Sequence, residues 1–392
     1  MIFDKKNIIY EYLITLLILT LSFSKALPNI VLGVLLFVYI VLLIKKDIIL
    51  PKIKFYFPFG FLFLYLFTKS IFNSSISSEI ELFSRFLIIL ILPLLFVPVP
   101  KNKIVFGFIL SVFIATIIAL FNTVNYYFQY KSIPFSNGDE ANKLLVIERP
   151  YMGFICLTAL ILCLYMAKNH PKYKIKLYGL SLFFSFFIFF IAARLSLISL
   201  ILMAIIHLVF YSGLSIFKKI TIIAISCMII LAVLLSYKNL SNRFFVTDSI
   251  QTMKDYEPRF VIWNCASEIS HSPDFNYIFG SKNFNWIQEQ YNQCYSNTID
   301  NQSKRDWFLY IKYNSHNQFI DFFLIGGYLA LIFFLVFIFS IVRNSIGNFY
   351  MLAIVISLTL FFLMENVLHR QFGCYLVAII ISIISKYRDD KN

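Results

Sequence analysis

Charged residues are scarce in this chain of 392 residues: they make up 14% of it, whereas hydrophobic residues make up 60% and phenylalanine alone contributes 46. A soluble domain of this size needs far more polar surface, so the composition excludes an ordinary soluble protein. The apolar residues gather in repeated runs of roughly 16–24 residues, long enough to cross a hydrocarbon layer of ~30 Å. The sequence therefore predicts an all-α, polytopic integral membrane protein.

Several motifs that define common enzyme classes are also missing. The sequence contains no glycine-rich phosphate loop, no cysteine and histidine spacing of a metal site, and no Gly-x-Ser-x-Gly elbow. No Asp-Asp or Asp-x-Asp pair follows the first apolar run, where a metal-dependent lipid-linked glycosyltransferase would usually carry one. We therefore expect no metal and no other cofactor.

The apolar runs predict about twelve transmembrane helices. The runs lie at roughly 7–24, 28–44, 55–68, 86–99, 104–122, 151–167, 177–193, 195–213, 220–237, 318–342, 349–365 and 371–385. The first run continues toward the second without a clear small-residue cleavage site, so we interpret it as a membrane span and not as a signal peptide. The third and fourth runs are short, and Pro93 is expected to kink the fourth.

The net charge of +14 is explained by membrane topology, and nucleic acid is not an expected partner. With the N-terminus inside, lysine and arginine gather in the short inner loops, for example at Lys101 and Lys103 or at Lys218 and Lys219. This is the pattern of the positive-inside rule, and it predicts that both termini are cytoplasmic. A basic inner face also attracts anionic membrane lipids.

A long outer loop divides the predicted helices unevenly. We expect helices 1–9 in residues 1–237, the large loop in residues 238–317, and helices 10–12 with the cytoplasmic tail in residues 318–392. The loop is too long to be a mere connector, and apolar spacing predicts an amphipathic helix that begins near Pro258. Cys265 and Cys294 both lie in this loop, and they form either a disulfide or two unpaired thiols.

Three basic side chains at the predicted outer surface are candidates for chemistry. Arg194 interrupts an apolar run, which costs on the order of 3 kcal/mol unless the guanidinium meets water or an anion. Its alternative role is to snorkel or to pair with an acid such as Asp321. Arg259 opens the predicted loop helix. His316, followed by Asn317, precedes the tenth span, and Asp321 lies on the same helix face as Asn317.

Three further charged residues lie at the outer ends of predicted spans. Glu365 lies at the end of the eleventh span, where it either binds substrate or forms an ion pair with Arg370 that joins the last two spans. Glu148 and Arg149 begin the sixth span. These two residues either line a substrate groove or form an ion pair at the helix start.

Short motifs around these residues are similar to those of a known family. They are His316-Asn317 followed by nine residues, Gly327, two residues and Ala330; the AARLS segment 192–196; Arg259 with Trp263; HSPDFNYIFGSKNF at 271–284; and ENVLHRQFG at 365–373. Their order and spacing resemble the O-antigen ligase/polymerase family of bacterial envelope enzymes over about residues 145–385. Ala330 and Ala193 depart from the residues usual at those places, and the spacing around Ser281 also differs.

The resemblance implies an inner-membrane glycosyltransferase with a periplasmic active site. Its donor would be a glycan on undecaprenyl diphosphate, and the transfer would invert the anomeric carbon without a metal. Arg194 and Arg259 would stabilise the diphosphate leaving group, because a guanidinium binds phosphate oxygens in a bidentate fashion. His316 would accept the proton of the acceptor hydroxyl, since histidine titrates near neutral pH. Asn317 and Asp321 would orient the imidazole or bind sugar hydroxyls.

The residues leave the acceptor open. A ligase transfers the glycan to lipid A–core, and a polymerase transfers it to the sugar of another carrier-linked repeat; the His-Asn-x9-Gly pattern favours the ligase. A lipid or sugar transporter also has about twelve spans. That alternative is less favoured, because transporters usually show related halves and charged residues near the membrane centre.

Overall fold

A computed structural model describes residues 5–45, 56–133, 135, 138–222, 224, 225, 228 and 257–389. The regular structure within these residues is helical, which confirms the expected all-α class. The predicted ninth span, 220–237, and the first part of the predicted large loop, 238–256, lie almost wholly outside the described residues.

Fifteen α-helices are numbered here in chain order over the described residues. They are α1 (Lys5–Thr20), α2 (Leu27–Ile44), α3 (Phe57–Phe72), α4 (Ile76–Leu95), α5 (Lys101–Tyr130), α6 (Gly138–Leu144), α7 (Arg149–Asn169), α8 (Lys174–Phe190), α9 (Arg194–Ile206), α10 (Pro258–Ser270), α11 (Phe284–Thr298), α12 (Gln302–Ile311), α13 (Gln318–Ser345), α14 (Phe349–Met364) and α15 (Gln371–Asp389). Short 3₁₀ turns precede α8 and α15, and a π-helical turn follows α9.

Six helical segments in the described residues are long and apolar enough to cross a membrane. They are Leu27–Ile44, Lys101–Tyr130, Arg149–Asn169, Pro171–Phe190, Arg194–Tyr211 and Gln318–Ser345. Four shorter apolar helices lie at Ile8–Thr20, Phe57–Phe72, Phe349–Met364 and Gln371–Tyr387. By length and composition, these helices are candidate membrane spans.

The chain forms two compact units. The first comprises Met1–Ile40, Val99–Val246 and Ser345–Leu358, and the second comprises Val41–Pro98, Thr247–Asn344 and Thr359–Asn392. In the first unit, α7 is buried along most of its length and packs on α5, α8 and α9. In the second unit, α15 packs on α4, and α3 also packs on α4.

Two helices extend beyond the apolar runs that predicted them. Helix α4 begins at Ile76, ten residues before the predicted start, and Pro93 lies in its last turn. Helix α5 continues to Tyr130, where Lys131 ends it in a left-handed conformation with φ 52°. Helix α5 therefore continues eight residues beyond 122, the predicted end of the fifth span. An apolar run marks only the hydrophobic part of a helix. The helix itself continues through polar residues as long as its backbone hydrogen bonds continue.

The predicted large loop contains helices. Helix α10 begins at Pro258, as expected for a proline at the first position of a helix, where its missing N–H costs nothing. Two further helices, α11 and α12, follow it, and both begin with an asparagine side chain that caps a backbone N–H. Cys265 of α10 and Cys294 of α11 form a disulfide. The open choice between a disulfide and two thiols is therefore resolved in favour of the disulfide.

Helix α13 is broken at Gly327, whose φ of 65° and ψ of −161° are not helical. The segment 275–283 lies against this break. Ser281 N donates to Leu324 O at 2.9 Å, and Tyr328 N donates to Tyr277 O at 2.8 Å. These backbone hydrogen bonds fix the segment to α13 and satisfy polar groups that the break removes from the helix.

Candidate functional site

His316 lies in a strained turn directly before α13. Its φ of 44° is left-handed, a conformation that costs a non-glycine residue on the order of 1–2 kcal/mol. Asn317 follows it and caps the helix: its Oδ1 accepts from Phe319 N at 2.9 Å and from Ile320 N at 3.2 Å. The cap fixes where the helix begins, and it thereby fixes the direction in which His316 leaves the backbone.

The His316 ring meets a carboxylate on a neighbouring segment. Its Nδ1 lies 3.2 Å from Oε2 of Glu365, which lies between α14 and α15. The other carboxylate oxygen, Oε1, accepts from NH2 of Arg259 at 3.0 Å. Glu365 therefore bridges the histidine and the arginine, and all three residues belong to the second unit.

Arg259 is held by more than Glu365. Its NH1 donates to Glu257 at 2.7 Å, and its NH2 also donates to the carbonyl oxygen of Met364 at 3.2 Å. Its Nε is buried and makes no hydrogen bond within the described part of the chain. Both terminal nitrogens of the guanidinium thus have carboxylate partners in this structure.

The charges around Glu365 keep it ionised. Burial alone would raise the pKa of this carboxyl, but the interaction with His316 and the positive charges of Arg259 and Arg370 outweigh burial and hold the pKa below its ordinary value. The side chain of Glu365 is only 7% exposed, whereas that of His316 is 21% exposed. A buried anion thus faces a partly accessible imidazole.

A second set of hydrogen bonds holds the backbone on both sides of His316. Asn366 Oδ1 accepts from Ser315 Oγ at 3.0 Å and from Asn317 N at 2.7 Å. Its Nδ2 donates to Asp321 Oδ1 at 3.1 Å. The side chains of Ser315, Asn366 and Asp321 are all buried. One amide side chain therefore clamps the residues before and after the histidine.

Asp321 is buried within this network. Gln318 Nε2 donates to its Oδ2 at 3.2 Å, and His369 Nε2 lies 2.5 Å from the same oxygen, an ion-pair distance without hydrogen-bond geometry. In this arrangement the Asp321 side chain supports the turn that contains His316. The network would have to open for Asp321 to bind a sugar.

Helix α10 supports the turn through a second residue. Trp263 Nε1 donates to Ser315 O at 3.0 Å, one helical turn after Arg259. The Arg-x-x-x-Trp spacing thus has a physical reason: one side chain holds Glu365, and the other holds the residue before His316.

Arg194, in the first unit, begins α9 after a tight turn. Ala192 in that turn has φ 49°, and Ala193 N donates to Ile188 O at 3.2 Å. A Cβ atom on Gly153 of α7 would lie 2.6 Å from Cβ of Ala193, so α7 packs directly against this turn. The start of α9 is therefore fixed by close packing, and the expected approach of Arg194 to the diphosphate stays a prediction.

Glu148 and Arg149 also belong to the first unit, at the start of α7. Glu148 is exposed, whereas Arg149 is only 4% exposed. The Arg149 guanidinium lies 6.0 Å from the centre of the Phe135 ring, and its backbone N donates to Asn142 Oδ1 at 2.9 Å. A role in an acceptor groove stays a prediction for both residues.

Two members of this site do not stand out in the sequence. Asn366 and Ser315 were not singled out, although Asn366 directly follows Glu365 and Ser315 directly precedes His316. The pairing of Glu365 with Arg370 alone was the simpler expectation, and the contacts with His316 and Arg259 depend on segments far apart in sequence. In the described part of the chain, no group of three His, Cys, Asp or Glu side chains is arranged to hold a metal ion.

No protein-family model matches the chain, and no curated protein matches it significantly.

Proposed function

We propose that this protein is a lipid-linked glycan transferase that acts on an undecaprenyl diphosphate donor, with His316 as the general base. The observation that carries the proposal is the bridge from Arg259 through Glu365 to Nδ1 of His316. It places a buried anion against one ring nitrogen of a histidine whose other nitrogen makes no hydrogen bond within the described residues. This is the arrangement that a base needs in order to accept a proton.

Glu365 orients the His316 ring, because its carboxylate accepts the hydrogen bond from Nδ1–H. When Nδ1–H donates to the carboxylate, the lone pair of the imidazole lies on Nε2, which is then the atom that removes the proton from the acceptor hydroxyl. The imidazolium formed in that step is stabilised by the same carboxylate. The hydroxyl oxygen forms a bond to the anomeric carbon, and the bond from that carbon to the diphosphate oxygen breaks.

Arg259 has two tasks in this proposal. It binds the carboxylate oxygen of Glu365 that faces away from His316, and its positive charge stabilises the departing diphosphate. Since Glu257 and Glu365 occupy its terminal nitrogens, diphosphate binding requires the exchange of the Glu257 carboxylate. The Glu257 side chain is 25% exposed, so this exchange is cheaper than displacement of the more buried Glu365. Arg194 belongs to the first unit, and its expected contribution of a second guanidinium stays a prediction from the sequence.

The membrane arrangement in the proposal follows the charge pattern. The protein crosses the inner membrane about twelve times, with both termini in the cytoplasm, and helices α10 to α12 form the periplasmic segment. The site then faces the compartment in which the carrier-linked glycan is presented. The acceptor is lipid A–core if the protein is a ligase, and the sugar of another carrier-linked repeat if it is a polymerase; the pattern around His316 favours the ligase.

A transporter is the second candidate, because α13 is broken, and secondary transporters bind substrates at broken helices. In this protein the carbonyl groups at the break are already hydrogen-bonded. Tyr65 OH donates to Gly326 O at 2.8 Å, Lys69 Nζ donates to Ile325 O, and Ser281 N donates to Leu324 O. Carbonyls with internal donors are poorly placed to coordinate a transported ion, so this observation favours the transferase.

Reconstitution tests the proposal. The purified protein in liposomes, supplied with a carrier-linked glycan and lipid A–core but without ATP or added metal, should form a glycan–lipid A product and release undecaprenyl diphosphate. His316→Ala should abolish the transfer, and His271→Ala is the matched control because His271 is an exposed histidine after α10. Uptake of a solute without transfer would instead support the transporter.

Deletion of the gene in cells separates the ligase from the polymerase. If the deleted strain lacks O-antigen on its lipopolysaccharide and accumulates free carrier-linked polymer, the protein is a ligase. If the lipid A–core of that strain carries a single repeat, the protein is a polymerase.

A further inference from the structure

A cleft of about 720 Å³ in the second unit lies beside the break in α13. One wall is the C-terminal half of α3, and the other is formed by residues 274–282, nearly all of which belong to the segment 275–283 that docks on the break. The cleft is large enough for a lipid headgroup and part of its chain, since ligand sites in proteins usually measure about 300–1,000 Å³. None of the residues assigned to the proposed catalysis lines it.

Lys69 provides an unusual charge in this wall. It lies in the otherwise apolar helix α3, and its ammonium donates to the carbonyl oxygen of Ile325. A carbonyl oxygen satisfies one of the three ammonium donors and neutralises no charge. Glu79, which does not line the cleft, acts electrostatically on Lys69 and offsets part of its charge, while its Oε1 accepts from Phe284 N at 3.0 Å. A partly buried cation of this kind is stabilised by an anion in the cleft.

Further polar groups surround the same opening. Lys282, whose side chain is 69% exposed, lies 4.0 Å from Asp274, a distance at which the ion pair is weak. Asn73 is fixed nearby, because its Nδ2 donates to Lys282 O at 2.6 Å. Asn276 also lines the cleft. Among the residues that line the cleft, two ammonium groups and amide side chains face one carboxylate, that of Asp274, so the lining favours an anionic ligand.

The rest of the opening is apolar. Leu64 and Phe72 of α3 are 56% and 83% exposed, and Phe279 of the facing segment is 52% exposed. Exposed apolar side chains beside a candidate membrane helix are suited to contact a lipid chain. The cleft thus has an apolar surface and a cationic end, which suit a molecule with a hydrocarbon chain and an anionic headgroup.

We propose that this cleft binds the phosphate headgroup of a membrane lipid, with Lys69 as the inner contact, Lys282 as the outer contact, and the lipid chain along Leu64, Phe72 and Phe279. The site is separate from the catalytic one. Ile325, the partner of Lys69, lies seven residues beyond the first residue of α13, or about 10 Å along the helix at 1.5 Å per residue. A phosphate at Lys69 is therefore not the diphosphate of the proposed catalytic site around Arg259, and the proposal does not depend on transferase activity.

Lipid binding to the full-length protein tests this site. The delipidated protein is titrated with dioleoylphosphatidate, undecaprenyl phosphate, dioleoylglycerol or inorganic phosphate, and bound lipid is counted by native mass spectrometry. One equivalent of a phosphate lipid should bind, while dioleoylglycerol, which lacks the phosphate, should bind at least about tenfold more weakly. Stronger binding of undecaprenyl phosphate than of phosphatidate would identify the carrier as the preferred lipid.

Variants of the two lysines identify the place of binding. Lys69→Met should weaken the binding of phosphate lipids by about tenfold or more, because it removes a charge-assisted hydrogen bond, and Lys69→Arg should retain most of it. Lys282→Gln should weaken binding by a few fold without disturbing a buried contact, so it decides the matter if Lys69→Met does not fold. Lys304→Met, on α12, is the matched control. Unchanged binding in both Lys69→Met and Lys282→Gln, equal binding of dioleoylglycerol, or complete displacement by millimolar inorganic phosphate would overturn the proposal.

Discussion

Gly280 and Gly327 contact each other backbone to backbone. A Cβ atom on Gly280 would lie 2.5 Å from Gly327 N, and one on Gly327 would overlap the carbonyl oxygen of Ile278. Both glycines have a positive φ, 76° for Gly280 and 65° for Gly327. Two motifs that are 47 positions apart in the sequence therefore meet at a point that excludes any side chain.

The first prediction concerns this contact. Gly327→Ala should destabilise the protein by at least about 2–3 kcal/mol, because alanine cannot adopt this backbone conformation cheaply and its methyl group would displace the docked segment. Thermal unfolding in detergent, followed by size-exclusion chromatography, measures the effect. Gly179→Ala is the control: no neighbouring heavy atom lies within 4 Å of a Cβ there, so its midpoint should stay equal or rise slightly. Equal midpoints for Gly327→Ala and wild type would contradict the contact.

The second prediction concerns the bridge between His316 and Glu365. Glu365→Gln keeps the shape of the side chain but removes its charge, so the transfer rate should fall by about 10²-fold or more as the imidazolium loses its counter-charge. Glu289→Gln, on α11, is a carboxylate control outside the site. The initial rate of glycan transfer in proteoliposomes is the measurement. A Glu365→Gln variant with the wild-type rate would show that Glu365 is only structural.

The third prediction concerns the two arginines. Arg194→Lys and Arg259→Lys should each lower transfer by about tenfold or more, because lysine keeps the charge but loses the planar fork that binds two oxygens. Arg259→Lys should also lower thermal stability, since one ammonium cannot reach both Glu257 and Glu365 as the guanidinium does. Arg305→Lys, on α12, serves as the control. Full activity in both variants would mean that these arginines only pack or pair.

The fourth prediction is a dependence of stability on pH. The pKa of Glu365 is lower in the folded protein than its ordinary value of about 4.3. Its contribution to stability is therefore fully present above about pH 5, and it is lost as the pH falls through the folded-state pKa. Glu365→Gln should be less stable than wild type near neutral pH by about 1–3 kcal/mol, and the difference should shrink in acid. Unfolding midpoints at several pH values test this; a constant difference from pH 7 to pH 3 would exclude the ion-pair origin.

The sequence was most informative where one side chain dominates its surroundings. The helices follow from apolar runs, the start of α10 follows from Pro258, and His316 was singled out by its place before a long apolar run. These features depend on neighbours within a few residues. The break in α13 was not predicted, because a Gly pair inside an apolar helix is equally compatible with close helix packing.

The parts of the site that escaped prediction depend on contacts between distant segments. Glu365 had a local arginine as its obvious partner, and only the fold brings Arg259 and His316 to its two oxygens. Asn366 resembled any polar residue at the end of a helix. Its role appears only when the turn at Ser315 and Asn317 lies against it, since a hydrogen-bond network has no periodicity in the sequence.

Asn366 yields the last prediction, because it holds the backbone on both sides of His316 without touching the imidazole. It is a positioning residue, so Asn366→Ala should lower the turnover number for transfer by about tenfold or more and leave the KM for the donor nearly unchanged. Asn366→Asp should not restore the rate, since a second carboxylate would face Asp321 where an amide now donates. Asn297→Ala, an exposed asparagine on α11, should behave as wild type. A rise in KM with an unchanged turnover number would instead place Asn366 in donor binding, and the clamp on His316 would then have no catalytic consequence.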